Sequence, residues 1–203
     1  MQRSATDDKA KPEHGNDVVA ALAGRRIDAQ DAKVPRFPLW NVPSVKLAIS
    51  KLLEKERVTL LICSAACGAD LLALDAATRA GIRCRVILPF EPERFRQTSV
   101  VDRPGDWGKL FDRIITEVDR EGCLVILNGD TNLDSSYQLA NEVIIQEAVA
   151  ASNTRPLAIL VWEGRRRDEG DLTAQFRSLA IAVGMSDRTV PTLCISTPEY
   201  LQG

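Results

Sequence analysis

The stretch LLICSAACGADLLALDAATRAG, residues 60–81, joins an apolar run to a helical pattern through a turn of small side chains. The apolar run at 59–63 predicts a buried strand, and the spacing of apolar residues at 67–80 predicts an amphipathic helix. The turn between them contains Ser64, Gly68 and three alanines, so its backbone can approach another group closely. That group is either the adjoining sheet, packed tightly against the helix, or a bound ligand with a negative charge.

Apolar runs alternate with helical patterns along the rest of the chain. Strands that are apolar nearly throughout, separated by amphipathic helices, are typical of a mostly parallel sheet covered on both faces. We predict a single doubly wound, mostly parallel, six-stranded Rossmann-like α/β domain over residues 17–203. The predicted strands are Val18–Ala23, Val58–Cys63, Arg85–Leu88, Cys123–Leu127, Leu157–Trp162 and Thr192–Ile195, and the predicted helices are Ser44–Glu56, Cys67–Ala80, Trp107–Glu117, Tyr137–Ala151 and Thr173–Val183.

The composition is that of an ordinary globular protein, with 203 residues, 45% hydrophobic and 27% charged. A net charge of -2 provides no strong general attraction for nucleic acid or for an anionic membrane. Residues 1–16 are polar and lack the apolar core of a signal peptide, so we predict a disordered tail and a cytoplasmic location. No apolar run reaches the ~18–20 residues of a membrane helix, and we expect no membrane partner.

Histidine and cysteine provide little basis for catalysis or metal binding. The single histidine, His14, falls in the predicted tail, which argues against Ser-His-Asp and Cys-His mechanisms. Among five cysteines only Cys63 and Cys67 are close in sequence, and a zinc site needs further closely spaced ligands. We therefore predict no metal site and no required cofactor.

The lengths of the connections indicate where a ligand binds. Helix-to-strand connections are short, whereas strand-to-helix connections are long: GRRIDAQDAKVPRFPLWNVP, PFEPERFRQTSVVDRPGD, NGDTNLDSS and EGRRRDEGD. In a doubly wound sheet these longer connections emerge at the carboxyl ends of the strands, where such folds bind their ligands. Loops beyond ~12–15 residues are usually functional or disordered. The sequence therefore predicts a binding site at that edge of the sheet.

Two predicted helices begin after small residues that favour an anion. The first follows the turn at 64–70, and the second follows Gly170 and has Thr173 in its first turn. Helix N-termini carry bare N–H groups and a partial positive charge, so two of them facing one crevice would hold a phosphate or pyrophosphate. Asp70 competes for the same helix dipole, and it either staples the turn or accepts a hydrogen bond from a ribose hydroxyl.

Further polar residues follow other predicted strands. The planar guanidinium of Arg25 suits phosphate, although pairing with Asp28 is the alternative. Tyr137 and Asn141 lie one helical turn apart and either touch a base or sugar or pack locally. Phe90 and Phe95, in the connection after the third predicted strand, are expected to anchor that loop by packing. The complete set of predicted ligand-binding residues is Gly24, Arg25, Ser64, Ala65, Ala66, Gly68, Asp70, Pro89, Thr98, Ser99, Asn141, Gly170 and Thr173.

The segment CSAACGADLLALDAATRAGIRCRVILPF, residues 63–90, resembles the first glycine motif of the SLOG superfamily, a Rossmann-like group that includes the DprA and LOG proteins. It looks most like uncharacterised members that occur beside bacterial nucleotide cyclase and TIR-type domains. The resemblance implies binding of a nucleotide or a nucleotide-derived small molecule at the strand carboxyl ends. Matching residues elsewhere are Gly24, Arg26, Ile27, Asp28, Arg36, Phe37, Pro38, Phe95, Thr98, Ser99, Val100, Trp107, Phe111, Tyr137, Asn141 and Trp162.

The leading hypothesis is therefore nucleotide binding or sensing, and the alternative is hydrolysis. LOG-type members cleave the N-glycosidic bond of nucleoside monophosphates, which requires a carboxylate near the anomeric carbon. Glu163 is the catalytic candidate, with Asp70 and Asp134 as the other acids at this edge. The second family motif is reduced to residues 170–173, without a glutamate placed like the LOG catalytic one. DNA handling, as in DprA, is disfavoured by the slightly acidic balance and the lack of a basic stripe. The sequence leaves homo-oligomerisation open.

Overall fold

The computed structural model describes residues 18–129, 133–167 and 169–193. The predicted tail at 1–16, with His14, lies outside these residues, and so does Cys194. The strands are β1 (Val18–Gly24), β2 (Val58–Cys63), β3 (Arg83–Leu88), β4 (Leu124–Ile126), β5 (Leu157–Trp162) and β6 (Ser186–Pro191). The helices are α1 (Val42–Lys55), α2 (Ala69–Arg79), α3 (Pro92–Ser99), α4 (Trp107–Arg120), α5 (Leu133–Ala151) and α6 (Leu172–Ala182), and a single 3-10 turn covers Leu39–Asn41.

The strands form one parallel sheet in the order β4-β3-β2-β1-β5-β6. This confirms the predicted six-stranded, Rossmann-like α/β fold. The chain builds outward from β1 through β2, β3 and β4, and then returns to the other side of β1 with β5. The gap between β1 and β5 is therefore the topological switch point, where a doubly wound sheet opens a crevice at the strand carboxyl ends.

Helices cover both faces of the sheet. On one face α1, α2 and α4 bury a core that includes Ile49, Leu71 and Phe111. On the other face α5 and α6 bury a second core that includes Ile144 and Phe176. A strand enclosed in this way has apolar side chains on both sides, which is why every residue of β5 is buried.

Helix α3 lies inside a segment that the sequence analysis treats as a loop. Its first residue is Pro92, which a helix accepts there because the missing N–H would have no partner within the helix. Phe95 provides its main buried apolar contact, together with the small side chain of Ser99. So short and polar a helix lacks the repeated apolar spacing by which longer helices are predicted.

The position predicted for the last strand is wrong. Strand β6 covers Ser186–Pro191, residues 192–193 form a bend after it, and residues 194–195 lie outside the described part of the chain. As an edge strand β6 pairs only with β5, and most of its side chains are partly or fully exposed. A search for apolar runs passes over a strand of this kind because its sequence is polar.

Within the described ranges, no helix is both long and apolar enough to cross a membrane. The same residues contain no group of three or more His, Cys, Asp or Glu side chains arranged to hold a metal ion.

Candidate functional site

An inner cavity of about 140 Å³ lies at the carboxyl ends of β1 and β2, beside the switch point. Its walls come from the end of β1, the 64–70 turn, α3, α5 and the start of α6. Most of its surface is apolar, and a few polar side chains point into it, as in typical small-molecule sites. The residues that line it are Leu22, Ala23, Gly24, Arg26, Ser64, Ala66, Asp70, Phe95, Ser99, Tyr137, Ala140, Asn141, Ile144, Leu172 and Thr173.

An outer cavity of about 460 Å³ adjoins the inner one. The two share five lining residues, so together they form one cleft: Gly24, Arg26, Tyr137, Leu172 and Thr173. The charged residues that line the outer cavity are Arg25, Arg26, Lys33, Arg36, Arg103 and Arg167 against Asp28 and Asp134. Four of the arginines also pair with carboxylates behind the lining, Asp102, Glu163 and Asp171, which leaves a smaller excess of positive charge. Four of the other lining residues belong to the loop after β1, and Gly170 lies on the loop after β5.

The turn before α2 does not present a row of free amides. The N–H of Ala66 donates to the Asp70 carboxylate at 3.1 Å, and the N–H of Cys67 donates to the Ser99 carbonyl oxygen at 3.0 Å. The N–H of Ala69 donates to a carbonyl oxygen in the loop after β1 at 3.1 Å. Acceptors within the protein therefore already occupy three amides of the predicted phosphate cradle. Of the two roles considered for Asp70, stapling the turn is confirmed.

Two predicted site glycines have a packing role. A Cβ at Gly24 would lie 2.3 Å from the Cβ of Ala69, so glycine lets α2 begin directly against the end of β1. Gly68 has a φ of +97°, and a Cβ there would lie 2.8 Å from the Arg25 carbonyl oxygen. Tight packing, one of the two explanations for the small side chains of this turn, accounts for both residues.

Asp70 places a buried carboxyl group in the inner cavity. The residue is 7% exposed, and one carboxyl oxygen accepts the Ala66 N–H. Burial raises the pKa of Asp70 to about 7, although the Ala66 hydrogen bond and the charge of Arg26 act in the opposite direction. The second oxygen takes part in no hydrogen bond with the described residues and is the side of the carboxyl left for a ligand.

Two hydroxyl groups of the cleft also lack partners in the described part of the chain. The Oγ of Ser64 is buried and makes no hydrogen bond there. Thr173 is 5% exposed and lines both cavities, and its hydroxyl is equally without a bond to a described residue. Leaving a buried hydroxyl such as that of Ser64 unsatisfied costs about 1–3 kcal/mol, so a ligand or water that bonds it is favoured.

Other polar groups of the inner cavity already have partners. Ser99 Oγ and the Tyr137 hydroxyl lie 2.6 Å apart, which links α3 to α5. The Asn141 Nδ2 donates to the Leu172 carbonyl oxygen at 3.1 Å, which links α5 to the start of α6. These bonds position the cavity walls.

Arg25 is committed to a buried network of ion pairs. Its Nε donates to Glu163 at 2.7 Å, and its Nη1 donates to Asp171 at 2.6 Å. Asp171 also caps α6 by accepting the N–H of Ala174. Burial alone would raise the pKa of Asp171, but the bonds from Arg25 and from the backbone outweigh it and hold the pKa at about 2.

This network assigns different roles to two residues singled out in the sequence. The guanidinium of Arg25 faces two carboxylates, which does not fit the prediction that it binds a phosphate directly. The alternative pairing with Asp28 is also wrong, because that carboxylate accepts the backbone N–H groups at 36 and 37. Glu163 is 6% exposed at its side chain, is held by Arg25 and Arg36, and lines neither cavity. It does not offer a free carboxylate to a substrate in the cleft.

The predicted ligand-binding residues fall into three groups. The inner cavity contains Gly24, Ser64, Ala66, Asp70, Ser99, Asn141 and Thr173. The outer cavity contains Gly24, Arg25, Gly170 and Thr173. Four predicted residues line neither cavity: Ala65, Gly68, Pro89 and Thr98.

The predicted set lacks Arg26, although it lines both cavities. Its guanidinium pairs with Asp102, while its Nε is buried without a partner among the described residues. Lys33 and Arg103 of the outer cavity are also absent from the predicted set. The length of the loop after β1 signals a site, but nothing in the local sequence tells which of its cations face the cleft.

No protein-family model matches the chain, and no curated protein matches it. Among solved structures, the X-ray structure of DNA processing protein A (DprA) from Streptococcus pneumoniae superimposes with a TM-score of 0.53 at 16% identity. The fold is similar to that of DprA. The match covers 89% of this chain and 52% of that chain, so this chain spans about half the length of DprA. At this identity the likeness to DprA is one of fold.

Proposed function

We propose that this chain binds a nucleotide or a nucleotide-derived small molecule in the cleft at the switch point. The observation that carries the proposal is the junction of an apolar inner cavity with a basic outer cavity. A base suits the first environment and a phosphate suits the second. The DprA-like fold and the motif at 63–90 support a SLOG-type domain, in which such a ligand is expected.

The phosphate is held by side chains of the outer cavity in this proposal, rather than by helix amides. Arg26 and Arg103 both contact Asp102, so a single carboxylate is shared by two guanidinium groups. Lys33 is exposed and forms no ion pair within the described ranges. This excess of positive charge favours an anion, and guanidinium groups suit phosphate oxygens in particular.

A calorimetric and thermal-shift comparison of mono-, di- and cyclic nucleotides tests the proposal. We expect at least one class to raise the Tm at millimolar concentration and to bind with a measurable Kd. Lys33→Gln removes a cation that contributes nothing to the fold, and it should weaken binding on the order of three- to tenfold. The matched control is Lys51→Gln, an exposed lysine on α1. Identical affinities in the two variants, or no stabilisation by any nucleotide, would contradict the proposal.

The placement of Glu163 favours binding over hydrolysis by this carboxylate. Cleavage of an N-glycosidic bond requires a carboxylate beside the anomeric carbon. Both oxygens of Glu163 are held by arginines, and the residue lines neither cavity. Release of free base from a nucleoside monophosphate, lost in Glu163→Gln, would reverse this preference.

A further inference from the structure

The inner cavity contains two polar groups that the nucleotide proposal leaves without a role. Asp70 has one carboxyl oxygen fixed by the Ala66 N–H and one that bonds to no described residue. Ser64, which follows β2 directly and lies six residues before Asp70, has a buried Oγ that likewise bonds to none. Both line the same cavity, whose other walls are largely apolar. A ligand that fills this cavity therefore meets one strong acceptor and one hydroxyl.

The surroundings of Asp70 leave its charge unpaired. Within the described part of the chain no lysine or arginine forms an ion pair with it, and Arg26, the nearby cation, is paired with Asp102. The thiol of Cys63, at the end of β2, also lies close and interacts with the carboxyl group. From α5 the only titratable group at the cavity is Tyr137, whose hydroxyl is bonded to Ser99. The carboxylate is therefore best satisfied by a hydrogen-bond donor on the ligand.

Resting on the nucleotide function proposed above, we infer that Asp70 and Ser64 select a base with an exocyclic amino group. The free oxygen of Asp70 accepts a hydrogen bond from that amino group, and the Ser64 hydroxyl donates to the ring nitrogen beside it. Adenine and cytosine carry this pair of groups. Hypoxanthine and uracil carry a carbonyl oxygen at the amino position, so two acceptors would face each other in a buried site.

Discrimination of this kind is strong because the cost falls on buried groups. A site built to bond a polar substrate group rejects the analogue that leaves the site's own groups unpaired, and it does so far more strongly than an apolar pocket rejects a change of size. Asp70 is almost fully enclosed, and binding the oxo analogue requires the carboxyl group to be protonated. At about pH 8, one pH unit above its pKa of about 7, we expect about tenfold weaker binding of the oxo analogue.

The test compares matched ligands that differ only in this group. Calorimetry at about pH 8, where the Asp70 carboxyl is largely ionised, would measure the Kd of AMP against IMP and of CMP against UMP. We expect the amino member of at least one pair to bind about tenfold more tightly. Binding of both members with equal affinity overturns this inference and leaves the proposed function standing. Binding of none of the four overturns this inference, and the wider comparison of mono-, di- and cyclic nucleotides then decides the proposed function.

Two variants test whether Asp70 and Ser64 cause this selectivity. In Asp70→Asn the amide presents either an acceptor or a donor, so the amino-to-oxo affinity ratio should fall toward one. Ser64→Ala removes a hydroxyl that bonds to no described residue, so the fold should persist while AMP affinity falls about three- to tenfold. Asp112→Asn, an exposed carboxylate paired with Arg96 on α3, is the control and should keep the wild-type ratio. A ratio unchanged in both folded variants overturns the assignment.

Discussion

Asp70 combines two energetic effects of opposite sign. Its carboxyl group fixes the turn before α2 by accepting the Ala66 N–H. Burial at the cavity disfavours the charged form and raises the pKa to about 7. The same side chain therefore orders the backbone at all pH values and opposes folding once it is ionised.

The stability of the protein should reflect this at neutral pH. Because the folded-state pKa of Asp70 lies above its unfolded value of ~4, this group lowers the free energy of unfolding as the pH rises from about 4 through about 7. Asp70→Asn keeps an acceptor oxygen but cannot ionise. The free energy of unfolding of the variant, taken relative to that of the wild type, should rise by on the order of 1–3 kcal/mol from about pH 5 to about pH 8. Urea denaturation at the two pH values measures this, and a difference that does not change with pH would contradict it.

At the same scale, the sequence predicts some site residues and misses others for a physical reason. Ser64, Asp70 and Thr173 stand in short segments that join a strand to a helix, a local pattern that the chain shows directly. Arg25 and Arg26 are neighbours with the same side chain. Which of them turns inward depends on carboxylates that follow β5, such as Glu163, 138 residues away along the chain. Local sequence does not contain that information.

Among the elements, the start of α2 is the one most sensitive to added volume. Its N-cap residue, Gly68, combines a positive φ with contact to the backbone of the loop after β1. This contact sets the distance between α2 and the loop that forms the floor of the outer cavity. Any side chain at 68 would therefore displace two segments of the cleft together.

Comparison of Gly68→Ala with Gly81→Ala shows how much the steric contact of the new Cβ adds to the strain of a positive φ. Both glycines have positive φ, 97° and 70°. The backbone cost of alanine is about 1 kcal/mol at Gly81 and larger at Gly68, whose ψ of -121° lies in a region that L residues avoid. Only at 68 does the new Cβ meet the backbone, 2.8 Å from the Arg25 carbonyl oxygen, whereas nothing lies within 4 Å of one at 81. We expect a loss in the free energy of unfolding of about 2–4 kcal/mol for Gly68→Ala and about 1 kcal/mol for Gly81→Ala. Equal losses in chemical denaturation would rule out the packing role.

The sequence predicts helices with a long amphipathic pattern well, but it does not predict short or mostly exposed elements. Helices α1 and α4 repeat apolar residues over several turns, and their predicted ranges overlap the observed ones closely. Helix α3 and strand β6 bury few side chains, so hydrophobic spacing gives no signal for them. Their positions follow from neighbours that are distant in sequence.

In the whole molecule, Arg25 connects the parts on the two sides of the switch point. It extends from the end of β1 and binds Glu163 after β5 and the α6 cap, Asp171. Arg36, in the loop after β1, binds the same glutamate. The rim of the cleft is thus fixed by a network that joins its first and last connections.

Removal of Arg25 should destabilise the protein as a whole. Arg25→Met leaves buried carboxylates at 163 and 171 without this partner, and breaking such a pair costs about 3–5 kcal/mol. Arg188→Met, which breaks an exposed pair with Glu56, is the control and should cost less than about 1 kcal/mol.

The pKa of Asp171 is depressed to about 2, so the stabilisation from its ion pair is complete above ~4 and is lost as the pH falls through about 2. The difference in the free energy of unfolding between wild type and Arg25→Met, measured by urea denaturation, should therefore become smaller in acid. A difference that stays constant with pH would argue that the ion pairs do not cause it.

At this scale the sequence predicts the architecture better than the strand order. Alternating strands and helices indicate a parallel sheet, and long strand-to-helix connections indicate its carboxyl edge, which is where both cavities lie. The order of strands depends on which apolar edges meet, and β1 pairs with β5 across more than a hundred residues of intervening chain. Periodicity in short windows does not report such pairings.

The central place of β1 has a consequence for the nascent chain. Its pairing with β2 becomes available early, but its other edge, from Ala20 to Gly24, is covered only when Leu157–Trp162 has been made. At ~5–20 residues per second, ribosomal elongation leaves that apolar edge open for on the order of ten seconds. An uncovered edge of this kind is a template for pairing with another chain. Truncation between β4 and β5 would make this transient exposure permanent, and such fragments should aggregate.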